Sequence, residues 1–530
     1  MKSLLSATLA TLVLSSLLQS QSPLVSQGGN LRLDATAATL GRNLSLSLDG
    51  APFAQFLLAV DALPGAQVFP GFGTIHLATT PALMIPIDGF TNLQPLIGPT
   101  GNYSLLSSIP NSPFLDGAHF FMQAVAFDLS SPTMFSISNA KSLQFGMPDS
   151  YHSTLNTMAL ARSFHQVARL DDEGILIVGG GNGNMLLPVA SSTCELYNPY
   201  TRAFGSAASM ASDRTLHRVT KLQDGRVLAS GGSITFGAGV PYGEVYDPAT
   251  DSWTVTPPMS TFRMAHTATL LDDGRVLLAG GASSFVLTPP SSTNYLPLFT
   301  ASQASAELYD PVTNTYTPTA NDMTEPRWAH TAIKLANGKV LLVAGISGGV
   351  TVFGFGAPVY SLVGDIFDPA TNTFTPVNGM ASTRLYPTLN LLPNGDVISI
   401  GGAGGIFVAT LGSSEVFHPS TGTWTAGPTV PNATVGLHTA TSLPNGDVLV
   451  AGGAVGALGA FQGTANCFLY SAAANTITAL NPMPTPRQTH TATWTPEGVI
   501  LIGGADQGNP IAVPPIPATA VSDAILWHRN

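Results

Sequence analysis

Charge is scarce in this chain: Asp, Glu, Lys and Arg make up only 9% of its 530 residues, and no basic run occurs anywhere. A nucleic-acid groove or an electrostatically held membrane surface needs concentrated Lys and Arg. With a formal net charge of −11, neither kind of partner is expected. Cysteine is almost absent. Cys194 and Cys467 stand at matching places in two of the repeats described below, where other copies carry Gly243, Ala306 or Ser414. Both read as small buried side chains and not as a bridged pair. The sequence has no GxSxG, HExxH, P-loop or helix-opening GxGxxG pattern, and no carboxylate dyad can be named.

Long apolar runs are missing after the first residues. The opening "MKSLLSATLATLVLSSLLQSQS" has Lys2, an apolar stretch from Leu4 to Leu18, then small polar residues. It is short for a membrane span and reads as a secretory signal over residues 1–22. The expectation is a secreted, periplasmic or cell-envelope protein without membrane insertion.

Gly (54) and Pro (41) are plentiful, which fits a β-rich chain with many turns. The stretch "HTATLLDDGRVLLAGG", beginning at His266, recurs with variations from His165, His217, His330, Pro387, His438 and His490, seven copies in all. Each copy reads as two short strands around a tight turn in which Gly follows Asp, Asn or Glu, as in Asp224-Gly225, Asn394-Gly395 and, in the first copy, Glu173-Gly174. Such turns require positive φ. After each Gly pair and a variable insert comes a second hairpin, such as "GEVYDPATDSW" or "SEVFHPSTGTW", with large residues seven apart: Tyr246 and Trp253, Phe417 and Trp424. Four strands at a period near 50 residues make one propeller blade.

The order of apolar strand, Gly-Gly, then Tyr and Trp resembles the kelch repeat from residue 150 to the C-terminus. Three departures stand out: Ala344-Gly345 for a Gly pair, Ile477 for a Trp, and Pro387 for a His. The resemblance implies an all-β fold, a seven-bladed kelch β-propeller over 149–530. The last copy supplies three strands, and "DSYHSTLNTM" at residues 149–158 is the expected fourth, closing the ring. Arg162, Arg214, Arg263, Arg327, Arg384 and Arg487 precede six hairpins by a fixed distance. Glu195, Glu244, Glu307, Asp365 and Glu415 stand in five third strands, whereas the sixth copy has Thr434 and Phe468. Paired, partly buried Arg and carboxylate groups are expected, while Arg487 has no clear acid in its copy unless Asp523 serves.

Residues 27–147 lack the repeat. Period-two alternation in "NLSLSLDG" and strand-like runs such as "HFFMQAVAFD" predict a small N-terminal β-sandwich. It reads as a surface-binding module or as a spacer.

Propeller topology puts the connections that begin each blade and those after each Gly pair on one face. The second set varies most in length, so ligand contacts are expected there. Its aromatics Phe236, Tyr242, Phe285, Tyr295, Phe299, Phe353, Phe355 and Tyr360 are candidates to stack on sugar rings or to anchor a protein. The six histidines beginning inner strands match a common kelch feature, which implies hydrogen bonds to neighbouring backbone. A β-sandwich followed by this propeller is also similar to the layout of galactose oxidase and glyoxal oxidase, whose copper is held by two Tyr and two His. That resemblance implies Tyr386, His438 and His490 as ligands. The pattern is incomplete here, because neither Cys faces Tyr386 at the start of a strand. The expected function is a non-catalytic propeller without a cofactor, binding an extracellular glycan or protein. The alternatives are a copper radical oxidase and a structural cell-envelope protein.

Overall fold

The computed structural model describes residues 149–528, apart from 184–188, 200–201, 236–237, 284–285, 288–296, 299–301, 353–354, 406–407, 458–460, 496–497 and 507–518; it also gives backbone strands between 32 and 144. Those strands form a three-stranded sheet (Arg32–Ala35, Asn43–Asp49, Asn102–Ser108), a five-stranded sheet centred on Gln55–Asp61 and His119–Phe127, and a separate hairpin. The expected secretory signal over residues 1–22 lies outside the described residues.

From residue 151 onward the chain builds seven four-stranded antiparallel sheets, the blades of a propeller. Blade 2 is typical: an inner strand Arg218–Lys221, then Val227–Ser230, Tyr242–Asp247 and the outer Ser252–Pro258. Every second strand is wholly buried, as in Ile175–Val178, Val276–Ala279 and Val448–Ala451. Strands covered on both faces need continuous apolar runs, and "ILIV" and "VLLA" supply them. The core lies between blades: Val178 and Tyr197's blade packs Leu176 and Ala168 against Val227, Ala229 and Tyr246 of the next.

The last blade joins the two ends of the repeat region. Thr491–Thr495, Gly498–Ile502 and Ala524–Trp527 are followed outward by Tyr151–Ser153, with Tyr151 opposite Trp527 and Ser153 opposite Ile525. The buried Trp527 indole donates to Asp149 at 2.8 Å, and Asp149 also accepts the Asn481 amide of blade 6 at 2.6 Å. Head-to-tail pairing removes the free sheet edges that an open array of blades would expose.

The paired large residues of the second hairpins lie directly opposite each other in register. Their rings sit 4.9 to 5.2 Å apart in five blades, Tyr246 with Trp253 and Phe417 with Trp424 among them. In blade 6 Tyr470 faces Ile477 instead. In the first hairpins the left-handed residue is the Gly alone, φ 86° at Gly225 and 87° at Gly395, closing a three-residue loop. In blade 1 the left-handed position falls on Glu173 (φ 70°), one residue before Gly174, so that copy is shifted by one from the expected Asp-Gly alignment.

Each expected Arg meets its acid. The distances are 2.7 Å for Arg162 to Glu195, 2.8 Å for Arg214 to Glu244, 3.0 Å for Arg263 to Glu307, 2.6 Å for Arg327 to Asp365 and 2.9 Å for Arg384 to Glu415. Asp523 completes the set with Arg487 at 2.8 Å. The same Arg donates to a carbonyl of the Gly pair, as from Arg214 to Gly231 at 2.8 Å. The carboxylate accepts amides of the segment leading into the blade, Ala211 to Glu244 at 2.6 Å. Each ion pair therefore ties the start of a blade to its middle. In blade 6, Thr434 bonds Thr410 at 2.7 Å.

Candidate functional site

The two sets of connections do share one face: isolated bridges such as Ser163 to Gly181, Thr215 to Ser233 and Trp328 to Ile346 hold each blade's beginning beside the segment after its Gly pair. At the centre of that face the seven inner strands begin around the propeller axis, and the residue before each His position has a left-handed backbone. These are Phe164, Leu216, Ala265, Ala329, Tyr386, Leu437 and Thr489, all with φ between 45° and 55°. None is Gly, so each conformation costs about 1–2 kcal/mol and persists because the surroundings dictate it. Amide bonds passing from blade to blade hold five of the seven. Ala265 donates to Leu216 at 2.9 Å, Ala329 to Ala265 at 3.2 Å, Tyr386 to Ala329 at 2.8 Å and Thr489 to Leu437 at 3.0 Å.

Inside this collar is a cavity of about 330 Å³. That is near the small end of the roughly 300–1,000 Å³ usual for small-molecule sites. Its walls come from all seven blades and include Phe164, Leu216, Arg218, Tyr386 and Leu437, with no Asp or Glu among the described lining residues.

The histidines stitch neighbouring blades together through hydroxyls, and backbone of Arg162 and Ile502 also reaches His165. His330 Nε2 pairs with Thr267 of the preceding blade at 3.0 Å, His490 with Thr439 at 2.9 Å, His438 with Thr388 at 3.2 Å and His165 with Thr491 at 2.9 Å. Burial, reinforced by the neighbouring Arg162, Arg214 and Arg384, holds His165 and His217 down to about 3 and His438 to about 4. His266, His330 and His490 are driven well below the ordinary imidazole range, again first by burial. All six imidazoles are therefore neutral at physiological pH.

The Thr that receives the next blade's His follows the His position in five copies; the exceptions are Gln166 in blade 1 and Arg218 in blade 2. Gln166 turns its amide to the His165 carbonyl at 3.1 Å. His217, the imidazole next in line, then has both ring nitrogens buried without a side-chain hydrogen-bond partner. Arg218 donates from Nε to the His266 carbonyl at 2.6 Å, and His266 turns to Ser230 at 3.0 Å.

Two departures from the repeat prove to be halves of one contact. In six blades the first Gly of the pair faces the next blade's imidazole: a Cβ added there would lie 2.8 to 3.0 Å from Cε1. The one blade with Ala at that place, Ala344 (φ 66°), precedes the one blade whose His is Pro387. The methyl is tolerated because the imidazole is gone. Pro387→His is accordingly expected to destabilise by about 1–3 kcal/mol through overpacking, and Ala344→Gly in the same chain to restore most of it, as read by urea unfolding.

Tyr386, His438 and His490 do line one cavity. Copper held in the galactose oxidase manner fits these residues poorly as they stand, because His438 and His490 would have to release Thr388 and Thr439. Among the described residues no group of three or more His, Cys, Asp and Glu side chains is placed to hold a metal ion. Cys194 and Cys467 are separate, free and buried. Of the loop aromatics, Tyr242 bonds Ser212 at 2.6 Å and lies under the Arg214 guanidinium, 5.4 Å from its centre. Tyr360 donates to the Gly405 carbonyl at 3.0 Å, tying two inserts together. Phe236, Phe285, Tyr295, Phe299 and Phe353 lie outside the described residues, and Phe355 is described only as strand backbone.

Sequence reasoning passed over Phe164, Leu216, Leu437, His217 as an unpaired imidazole, and Arg218. A signal was present: across the copies the residues flanking the His vary in size and charge where the rest of the hairpin repeats.

No family model and no curated relative matches the chain. Among solved structures, one described as a novel fungal alcohol oxidase of the AA5 family in complex with copper aligns with a TM-score of 0.53 at 17% identity, covering 72% of this chain and 76% of that one. A second, YjhT, aligns with a TM-score of 0.45 at 14% identity over 62% of this chain and 99% of that one. At such identities the likeness is one of fold. The chain is a seven-bladed β-propeller with kelch-type blades and the propeller architecture of the galactose oxidase type.

Proposed function

We propose that the protein is a non-catalytic, extracytoplasmic binding propeller whose ligand, the end of a glycan, sits in the axial cavity of the loop-bearing face. The observation that carries this reading is the cavity itself: it has the volume of a small molecule, mixed walls in which Phe164, Leu216, Tyr386 and Leu437 stand among His, Thr, Gln and Arg side chains, and a rim of over-determined backbone. Among the described residues no carboxylate lines it to serve as an acid or base, and the neutral imidazoles are mostly committed to adjacent blades.

Binding of fluorescently labelled protein to a glycan array, followed by calorimetry on the best sugar, tests the proposal. Tyr386→Ala is expected to weaken binding about tenfold or more by removing the ring that walls the cavity, whereas the triple change Phe353→Ala, Phe355→Ala, Tyr360→Ala leaves it in place. The opposite result moves the site to the inserts.

A second reading is favoured by one observation, the gathering of Tyr386, His438 and His490 on a single cavity. It is alcohol or sugar oxidation by copper, after the copper-bound neighbour. Bound copper after reconstitution, with peroxide released from simple alcohols or sugars, would establish it in place of the first.

A further inference from the structure

Arg218 is out of place in several ways. Its position in the repeat belongs to Thr in five copies. The other repeat arginines, one per blade in six blades, are each paired with a carboxylate, but Arg218 has no acidic partner among the described residues and fixes only its Nε, on the His266 carbonyl. Arg218 lines the axial cavity, and among the described residues no Asp, Glu or Lys does. A half-buried cation without a counter-charge is costly to maintain in a chain of net charge −11. Beside it in the same wall is His217, 1% exposed, with no side-chain partner on either nitrogen. Tyr386 is near enough that its phenol and the guanidinium influence each other's ionisation. Gln166 supplies a further amide on the blade 1 side.

We propose that this wall is an oxyanion site and that the ligand of the axial cavity carries one negative charge, the carboxylate of an acidic sugar, with Arg218 as its anchor. The proposal rests on the binding role given above and specifies its chemistry. Charge balance selects the carboxylate over phosphate: among the described residues Arg218 is the only charged one lining the cavity and the imidazoles there are neutral, so one cation meets one anion, while a phosphate dianion would leave a second charge uncompensated. A planar guanidinium fork also matches a carboxylate in two parallel hydrogen bonds. Tyr386 and His217 are then the neutral donors that complete the oxygen shell.

Calorimetry on the whole chain with glucuronate, its uncharged methyl ester, glucose and inorganic phosphate tests this without relying on any variant. Glucuronate is expected to bind about tenfold or more tightly than its methyl ester or glucose, as one charge-assisted hydrogen-bond pair provides, with affinity falling as sodium chloride rises. Arg218→Gln, verified as folded by its unfolding temperature, is expected to bring glucuronate down to the glucose level while glucose stays unchanged. Equal binding of glucuronate, ester and glucose overturns the anion site and leaves the glycan-binding role standing. Phosphate binding tighter than glucuronate overturns the carboxylate assignment. If none of the four binds while the array finds another glycan held outside the cavity, both the anion site and its location fail.

Discussion

Stability is expected to fall steeply as the pH drops below 6.5, with the propeller losing its structure in a range where most carboxylates are still ionised. Six imidazoles, His165, His217, His266, His330, His438 and His490, are 0 to 7% exposed and held neutral in the folded state. Their folded pKa values are depressed, to about 3 at His165 and His217 and about 4 at His438. In the unfolded chain each returns to about 6.5. Below that pH the unfolded state binds more protons than the folded one, so stability is full above 6.5 and is lost progressively as the pH falls towards the folded values. Each imidazole contributes up to about 1.4 kcal/mol per pH unit in this window, and all six act in the same direction. Net stabilities of domains are only about 5–15 kcal/mol, so a ring of six is enough to unfold the protein before the carboxylates titrate. Thermal unfolding followed by circular dichroism between pH 7.5 and 4 measures this. His330→Gln, which keeps a donor for Thr267, is expected to make the fall shallower by one proton's worth. An unfolding temperature that stays level from pH 6.5 to 4.5 would show that the collar histidines are not buried and neutral.

Glu244→Ala is expected to destabilise by about 3–5 kcal/mol, the usual result of stranding one member of a buried ion pair. Arg214 and Glu244 are both 0% exposed. Removing the carboxylate leaves the guanidinium charge unpaired and the Ala211 and Ser212 amides without their acceptor. The cost belongs to the stranded charge more than to the pair, and blade 6 shows why: it closes with Thr434 and Phe468 where other blades have Arg and an acid. Arg214→Thr combined with Glu244→Phe, the blade 6 residues, is expected to recover a large part of the loss. The same truncation at Asp523, whose side chain is 39% exposed, is expected to cost much less, since water screens what remains. Urea unfolding of the single and double variants gives the coupling directly. If Glu244→Ala and Asp523→Ala cost the same, burial is not what sets the value of these pairs.

The architecture was legible because the repeat is written in residues that act locally or in pairs at fixed spacing. A Gly after Asp or Asn needs only the turn that holds it, and two large residues seven apart meet wherever a hairpin folds. Joint loss of Arg and acid in the sixth copy exposed their pairing without coordinates, and Asp523 could be named for Arg487 although its spacing differs. The slip at Glu173-Gly174 shows the limit of such reading, since the neighbouring Gly drew the alignment to itself while the backbone put its left-handed residue on Glu173.

The candidate site was far less legible. Tyr386, His438 and His490 were found through a family resemblance, and the cavity does gather them, but what each imidazole does depends on the residue that the preceding blade presents to it. Gln166, Arg218 and Pro387 each look like drift within one copy. Only around the closed ring does Pro387 become the reason Ala344 is allowed, and Gln166 the reason His217 has no hydroxyl partner.

Strand, turn and blade count were thus determined by the sequence alone, because periodicity, turn chemistry and paired spacings act over a few residues and repeat seven times. The tertiary structure decided where the two ends of the repeat meet and which side chains share the axis. It also left one guanidinium facing a cavity without an acid, because those relations arise between residues 50 to more than 300 positions apart that only ring closure brings together.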